Sequence, residues 1–172
     1  MTDLLLDSNL LSELLAQYFS SGSRIKGFRV TQKSIFHKDL VRKINSIISW
    51  FDDNLSIEEV SPQPGLIIAS TFAFVEIARK FNEIVKHQYT VDQMASFINQ
   101  PPDWFFISST DKVLLAHLLN LPSEVTLPEG DVVPIEVADS IHVATALSRD
   151  QCLMATTDAR IREIRLLKNI LI

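Results

Sequence analysis

The chain is poor in the residues that mark several common chemistries. Its single cysteine, Cys152, excludes an internal disulfide and suits a reducing compartment. Cys152 opens a short apolar run, where a small buried residue is its simplest role. The four glycines, at 22, 27, 65 and 130, stand alone, so no Gly-rich phosphate loop is present. No serine sits in a G-x-S-x-G turn, and no Cys/His set has zinc spacing. No apolar run approaches the roughly 20 residues of a membrane span. The opening MTDLLLDSN lacks the basic region and cleavage site of a signal peptide. A cytoplasmic protein with no membrane partner is the expectation.

What the chain has instead is apolar residues and acids. At 172 residues and 47% hydrophobic content it fits one domain with a sizeable core. Its net charge of −5 argues against non-specific binding to nucleic acid. The charge is uneven, however. Residues 24–43 hold Arg24, Lys26, Arg29, Lys33, Lys38, Arg42 and Lys43 against one acid, Asp39. This stretch is either a contact for a polyanion or a solvated helix flank.

Strand and helix signals alternate along the chain. Asp3–Leu6 reads as a first strand ending at Asp7. Leu10, Leu11, Leu14, Leu15 and Tyr18 follow at helical spacing, with Ser8 or Asn9 as the expected cap. Residues 33–55 read as one long or two shorter helices, and Pro62, Pro64 and Gly65 close that region. Residues 66–69 form a second strand and 72–86 a helix that carries Glu76 near its start. A short helix over 91–99, a third strand over 104–107 and a helix over 112–119, capped within 108–111, come next. Residues 122–134 hold three prolines and a glycine and read as a loop. Residues 137–160 read as a helix, a tight turn and a strand, with Asp139 and Asp158 at the outer ends. A short helix over 162–168 and a last strand over 169–172 complete the chain.

This alternation predicts a parallel sheet covered by helices on both faces. In such sheets the ends of strands and the starts of the following helices share one edge, where ligands bind. Asp7, Glu76, Asp139 and Asp158 all map to that edge. Crowded carboxylates repel unless protons or cations intervene, and a hard divalent cation with oxygen ligands is the usual answer. Such a site activates water and neutralises a phosphate under attack. Phosphodiester hydrolysis is the reaction class that most naturally needs it.

The pieces LLLDSNLL, ASTFAFVEI, VADSIHVATAL and CLMATTDARI resemble, in that order, the four acidic motifs of PIN domains. These are metal-dependent nucleases that include the ribonuclease toxins of toxin–antitoxin pairs. The most specific pieces are D-x-I-H-x-A-T-A from Asp139 and T-x-D from Thr156. The resemblance implies a three-layer α/β/α fold with a parallel sheet of four to five strands, order 3-2-1-4-5. It implies that Asp7, Glu76, Asp139 and Asp158 surround Mg²⁺ or Mn²⁺ and are the catalytic acids. A single PIN-like domain over 1–172 then carries an enlarged basic, helical insertion at about 22–64.

Asn9 and Thr156 are candidates to hydrogen-bond the carboxylates, with cap and strand-end roles as alternatives. His142, one turn after Asp139, reads as an orienting or packing residue rather than a ligand. No histidine stands out as a general base, so water activated by the cation is the expected nucleophile. Lys33, Lys38, Arg42 and Lys43 are the candidate contacts to an RNA backbone. The expected function is a Mg²⁺/Mn²⁺-dependent endoribonuclease, with a small antitoxin protein as partner if the chain is a toxin. A homodimer through apolar helices such as the one over 10–19 is a further expectation. The alternative is a PIN-fold binding or assembly module with little nuclease activity.

Overall fold

A computed structural model describes residues 3–20, 66–81, 88–103, 105–150, 152–164, 166–167 and 169–171. The expected insertion at 22–64, its helices and Lys33, Lys38, Arg42 and Lys43 lie outside the described residues, as do residues 82–86 of the expected helix.

Seven strands and six helices are described, in chain order: β1 (Asp3–Leu6), α1 (Ser8–Ser20), β2 (Ile67–Ser70), α2 (Thr71–Lys80), α3 (Val91–Asn99), β3 (Phe105–Ser108), α4 (Lys112–Leu118), β4 (Glu124–Thr126), β5 (Val132–Pro134), α5 (Val137–Leu147), β6 (Cys152–Thr156), α6 (Ala159–Arg162) and β7 (Asn169–Leu171). The main sheet has the order β3-β2-β1-β6-β7 with every pairing parallel. Counting only its own strands, this is the expected 3-2-1-4-5.

The sheet forms because its central strand can be apolar on both sides. Leu4, Leu5 and Leu6 are all buried, the continuous run that a strand covered on both faces requires. Successive side chains point to opposite faces. Leu4 and Leu6 join Leu11, Leu15, Phe74, Ile77 and Phe97 beneath α1, α2 and α3. Leu5 joins Ile68, Met154, Val143, Ala146 and Ile161 beneath α5 and α6. These clusters are the two inner layers of an α/β/α sandwich. Opposite the carboxyl edge, Asp3 ties β1 to its surroundings. Its Oδ1 accepts from Leu66 N–H at 2.8 Å and its Oδ2 from Arg149 Nε at 2.7 Å.

Two expectations need correction. Residues 122–134 are not simply a loop: β4 and β5 form a small antiparallel hairpin, closed by a turn in which Gly130 adopts φ +97°. Buried Val125 anchors this hairpin to the second core, so three-residue strands persist despite the nearby prolines. The helix expected over 162–168 instead occupies Ala159–Arg162. Beyond it the chain makes three-residue turns, with Ile164 N–H bonding Ile161 O and Leu167 N–H bonding Ile164 O. Ile161, Ile164 and Leu167 are buried at intervals of three, which these turns satisfy as well as a helix would. Among the described residues no helix is long and apolar enough to cross a membrane.

Candidate active site

Each acid reaches the carboxyl edge of the sheet by a separate piece of chain. Asp7 directly follows β1 and caps α1, which begins one residue earlier than a Ser8 or Asn9 cap would allow. Its Oδ1 accepts from Leu10 N–H at 2.9 Å and its Oδ2 from Thr157 N–H at 3.1 Å. The side chain of Thr156 also bonds it. Asp7 is buried, and burial raises its pKa against the lowering effect of these bonds and of His142. It is a shielded carboxylate held by donors from both ends of the chain.

Glu76 lies in the second turn of α2, behind the end of β2. Its Oε2 meets His142 Nε2 at 2.9 Å. That bond, aided by charge, holds the Glu76 carboxyl below its usual range despite partial burial. His142 is buried on α5, and its Nδ1 lies 3.0 Å from Ser70 Oγ. Ser70 caps α2 by accepting from Ala73 N–H at 3.1 Å, which leaves its hydroxyl proton free to donate. The neutral Nε2–H tautomer satisfies the whole chain: Ser70 donates to Nδ1, and Nε2–H donates to ionised Glu76. These contacts tie Glu76 to His142 and His142 to Ser70.

Asp139, in the first turn of α5, faces Asp158, the N-cap of α6. Burial, followed by the Asp158 charge, pushes the Asp139 carboxyl up to about 6. Burial also acts to raise Asp158, but the bonds and charge of Arg160 outweigh it and hold that carboxyl low. Arg160 Nε donates to Asp158 Oδ1 at 3.0 Å and to Oδ2 at 2.9 Å. Its Nη2 donates to Asp158 Oδ2 and, at 3.1 Å, to Asp139 Oδ2. Its Nη1 donates to Glu136 Oε1 at 3.3 Å.

The four acids share an edge but not one coordination shell. Among the described residues no group of three or more His, Cys, Asp or Glu side chains could hold a metal ion together. The donor set nevertheless fits a hard cation at one place. Asp139 and Asp158 lie on either side of a positive group, and Mg²⁺ often needs only one or two direct carboxylates. Of the supporting candidates, Thr156 is buried against Asp7, and its Oγ1 accepts from Asp158 N–H at 3.0 Å. Asn9 is exposed on the first turn of α1.

Two participants were not among the expected site residues. Ser70 reads as a helix cap, and only the packing of α5 reveals its second contact. Arg160 carries a signal in hindsight: a cation two residues after a clustered acid, in the first turn of a helix. Cys152 is buried and its thiol is pushed up to about 12 by burial, which makes it a packing residue.

No family model and no curated protein matches this chain. Among solved structures, it is similar to a chain in the crystal structure of VapBC2 from Rickettsia felis bound to a DNA fragment from their promoter. The TM-score is 0.58 at 10% identity, over 99% of this chain and 98% of that one. At that identity the likeness establishes a shared, PIN-like fold.

Proposed function

We propose that the protein is a divalent-metal-dependent endoribonuclease acting at the carboxyl edge. The observation that carries this reading is the Asp139–Asp158 pair, two carboxylates close enough that a cation or a proton is needed to make their proximity favourable. Asp139 and Asp158 would hold Mg²⁺ or Mn²⁺. The cation, when bound, supplies Lewis-acid polarisation of a phosphate and a more acidic water. Asp7 adds a further carboxyl at the same edge, immobilised by Leu10 and Thr157 N–H. Glu76 stays ionised and aimed because His142, itself held by Ser70, leaves its carboxylate few alternatives. The resemblance of the four motifs to PIN toxins and the likeness to VapBC2 support a toxin role in the cytoplasm, with a small antitoxin as partner. Homodimer formation belongs to the same reading. Lys33, Lys38, Arg42 and Lys43 supply the basic contact to the RNA backbone.

The test is cleavage of RNA by the purified chain with Mn²⁺ and with EDTA, beside Asp158→Asn. Activity that survives EDTA or the substitution refutes the mechanism. One observation favours a second reading, a binding or assembly module: the pair already has a protein cation, Arg160. Failure of the wild type to bind millimolar Mn²⁺ in calorimetry decides for the module.

A further inference from the structure

Arg160 sits where the proposed cation belongs. It is the second residue of α6, so its backbone is fixed two residues beyond Asp158, the cap of the same helix. From there the guanidinium folds back over its own N-terminus. It grips both oxygens of Asp158 and reaches across to Asp139 Oδ2 on α5. A guanidinium is a planar fork of donors, and a bidentate hold on a carboxylate is its strongest mode. The contacts join two helices whose acids otherwise repel.

A divalent cation seated on this pair competes with the guanidinium for the same oxygens. The metal takes carboxylate oxygen at about 2.0–2.1 Å, well inside the hydrogen-bond distance of a nitrogen donor. The two positive charges also repel within one small space. Exit for the arginine is available. Its side chain is 27% exposed, and Nη1 already touches Glu136 at the rim. Glu136 precedes α5 without a side-chain cap bond and is 69% exposed, so its carboxylate is free to receive the guanidinium outside the pair.

We propose that Arg160 is an internal counter-ion that occupies the Asp139–Asp158 position and withdraws toward Glu136 when a divalent cation binds. This rests on the reading of Asp139 and Asp158 as the metal-holding acids. Metal affinity is then set by a competition inside the chain. The apparent affinity is the intrinsic affinity reduced by the fraction of molecules in which the guanidinium is away. Without metal, the same contact keeps the α5–α6 edge assembled and its acids paired.

Calorimetric titration of Mn²⁺ into wild type and Arg160→Gln tests this directly. The variant is expected to bind Mn²⁺ about tenfold tighter, the factor that a competitor held by a few charge-assisted bonds supplies. A second measurement needs no variant. In the wild type, Mg²⁺ titration followed by the NMR signal of the Arg160 Nε–H should show that proton shifting and exchanging faster with water as the site fills. Equal or weaker Mn²⁺ binding by the variant, or an Nε–H that stays protected at Mg²⁺ saturation, overturns the role of Arg160 and leaves the metal reading standing. Absence of Mn²⁺ binding by both proteins overturns the metal reading, and this inference with it.

Discussion

Replacing Asp139 by asparagine should make the metal-free protein more stable, although it removes a proposed site residue. Burial and the facing Asp158 carry the Asp139 carboxyl from its ordinary 3.8 to about 6. A group whose folded pKa is raised contributes stability that is full below the unfolded value and is lost as pH rises through the folded one. Here the loss runs from about pH 4 to about pH 6. At ~1.36 kcal/mol per pH unit it amounts to roughly 3 kcal/mol. Water still reaches 19% of the side chain, which cuts the gain available to asparagine to about 2 kcal/mol. Asparagine keeps an oxygen for Arg160 Nη2 while removing the repulsion with Asp158. For a chain of this length the gain is about 5 °C in melting temperature. The assay is thermal unfolding of both proteins in EDTA from pH 4.5 to pH 8. The variant should start nearly level with wild type, pull ahead up to about pH 6 and hold its lead above that. A variant that melts lower at pH 8, or a gap that ignores pH, refutes the electrostatic account of this edge.

Saturating Mn²⁺ should reverse that order, since a ligand that binds only the folded wild type raises its melting temperature with concentration. His142→Ala should cost about 2–4 kcal/mol in urea unfolding, because it opens a cavity and strands both Ser70 and Glu76. Glu13 is buried on α1 with its carboxyl pushed up to about 7, mainly by burial, and among the described residues its Oε2 has no hydrogen-bond partner. Glu13→Gln should therefore stabilise the protein increasingly from about pH 4.5 to pH 7, seen in the same melting series. Changing Lys33, Lys38, Arg42 and Lys43 together to Gln should weaken RNA binding and flatten its salt dependence, each lost phosphate contact removing somewhat under one unit of slope. Mn²⁺ affinity should hold, and an unchanged salt slope would assign the stretch to another role.

The layered fold was legible because its strongest determinants are local. Leu4–Leu5–Leu6 and the run from Cys152 to Ala155 can only be strands buried on both faces, and the stripes of α1 and α2 fix which helices cover them. Strand order followed from the resemblance rather than from periodicity. The β4–β5 hairpin was illegible because three-residue strands leave no alternation to read. The early stop of α6 was hidden because Ile161, Ile164 and Leu167 fit a helix and a series of three-residue turns equally well. At the edge, the positions of Asp7, Glu76, Asp139 and Asp158 came from topology, which the sequence encodes. Their pairings did not. That His142 bridges Ser70 to Glu76, and that Arg160 turns back onto two acids, depends on rotamers chosen by neighbours distant in sequence.

The clasp on Asp7 also sets a timetable. Synthesis delivers Asp7 well before Thr157, which holds its second oxygen and follows 150 positions later. β1 lies at the middle of the sheet, yet of its two flanking strands β6 is made long after β2. An emerging chain must therefore carry its central strand half-paired and its first acid half-held until α5 and β6 arrive with Asp139 and Asp158.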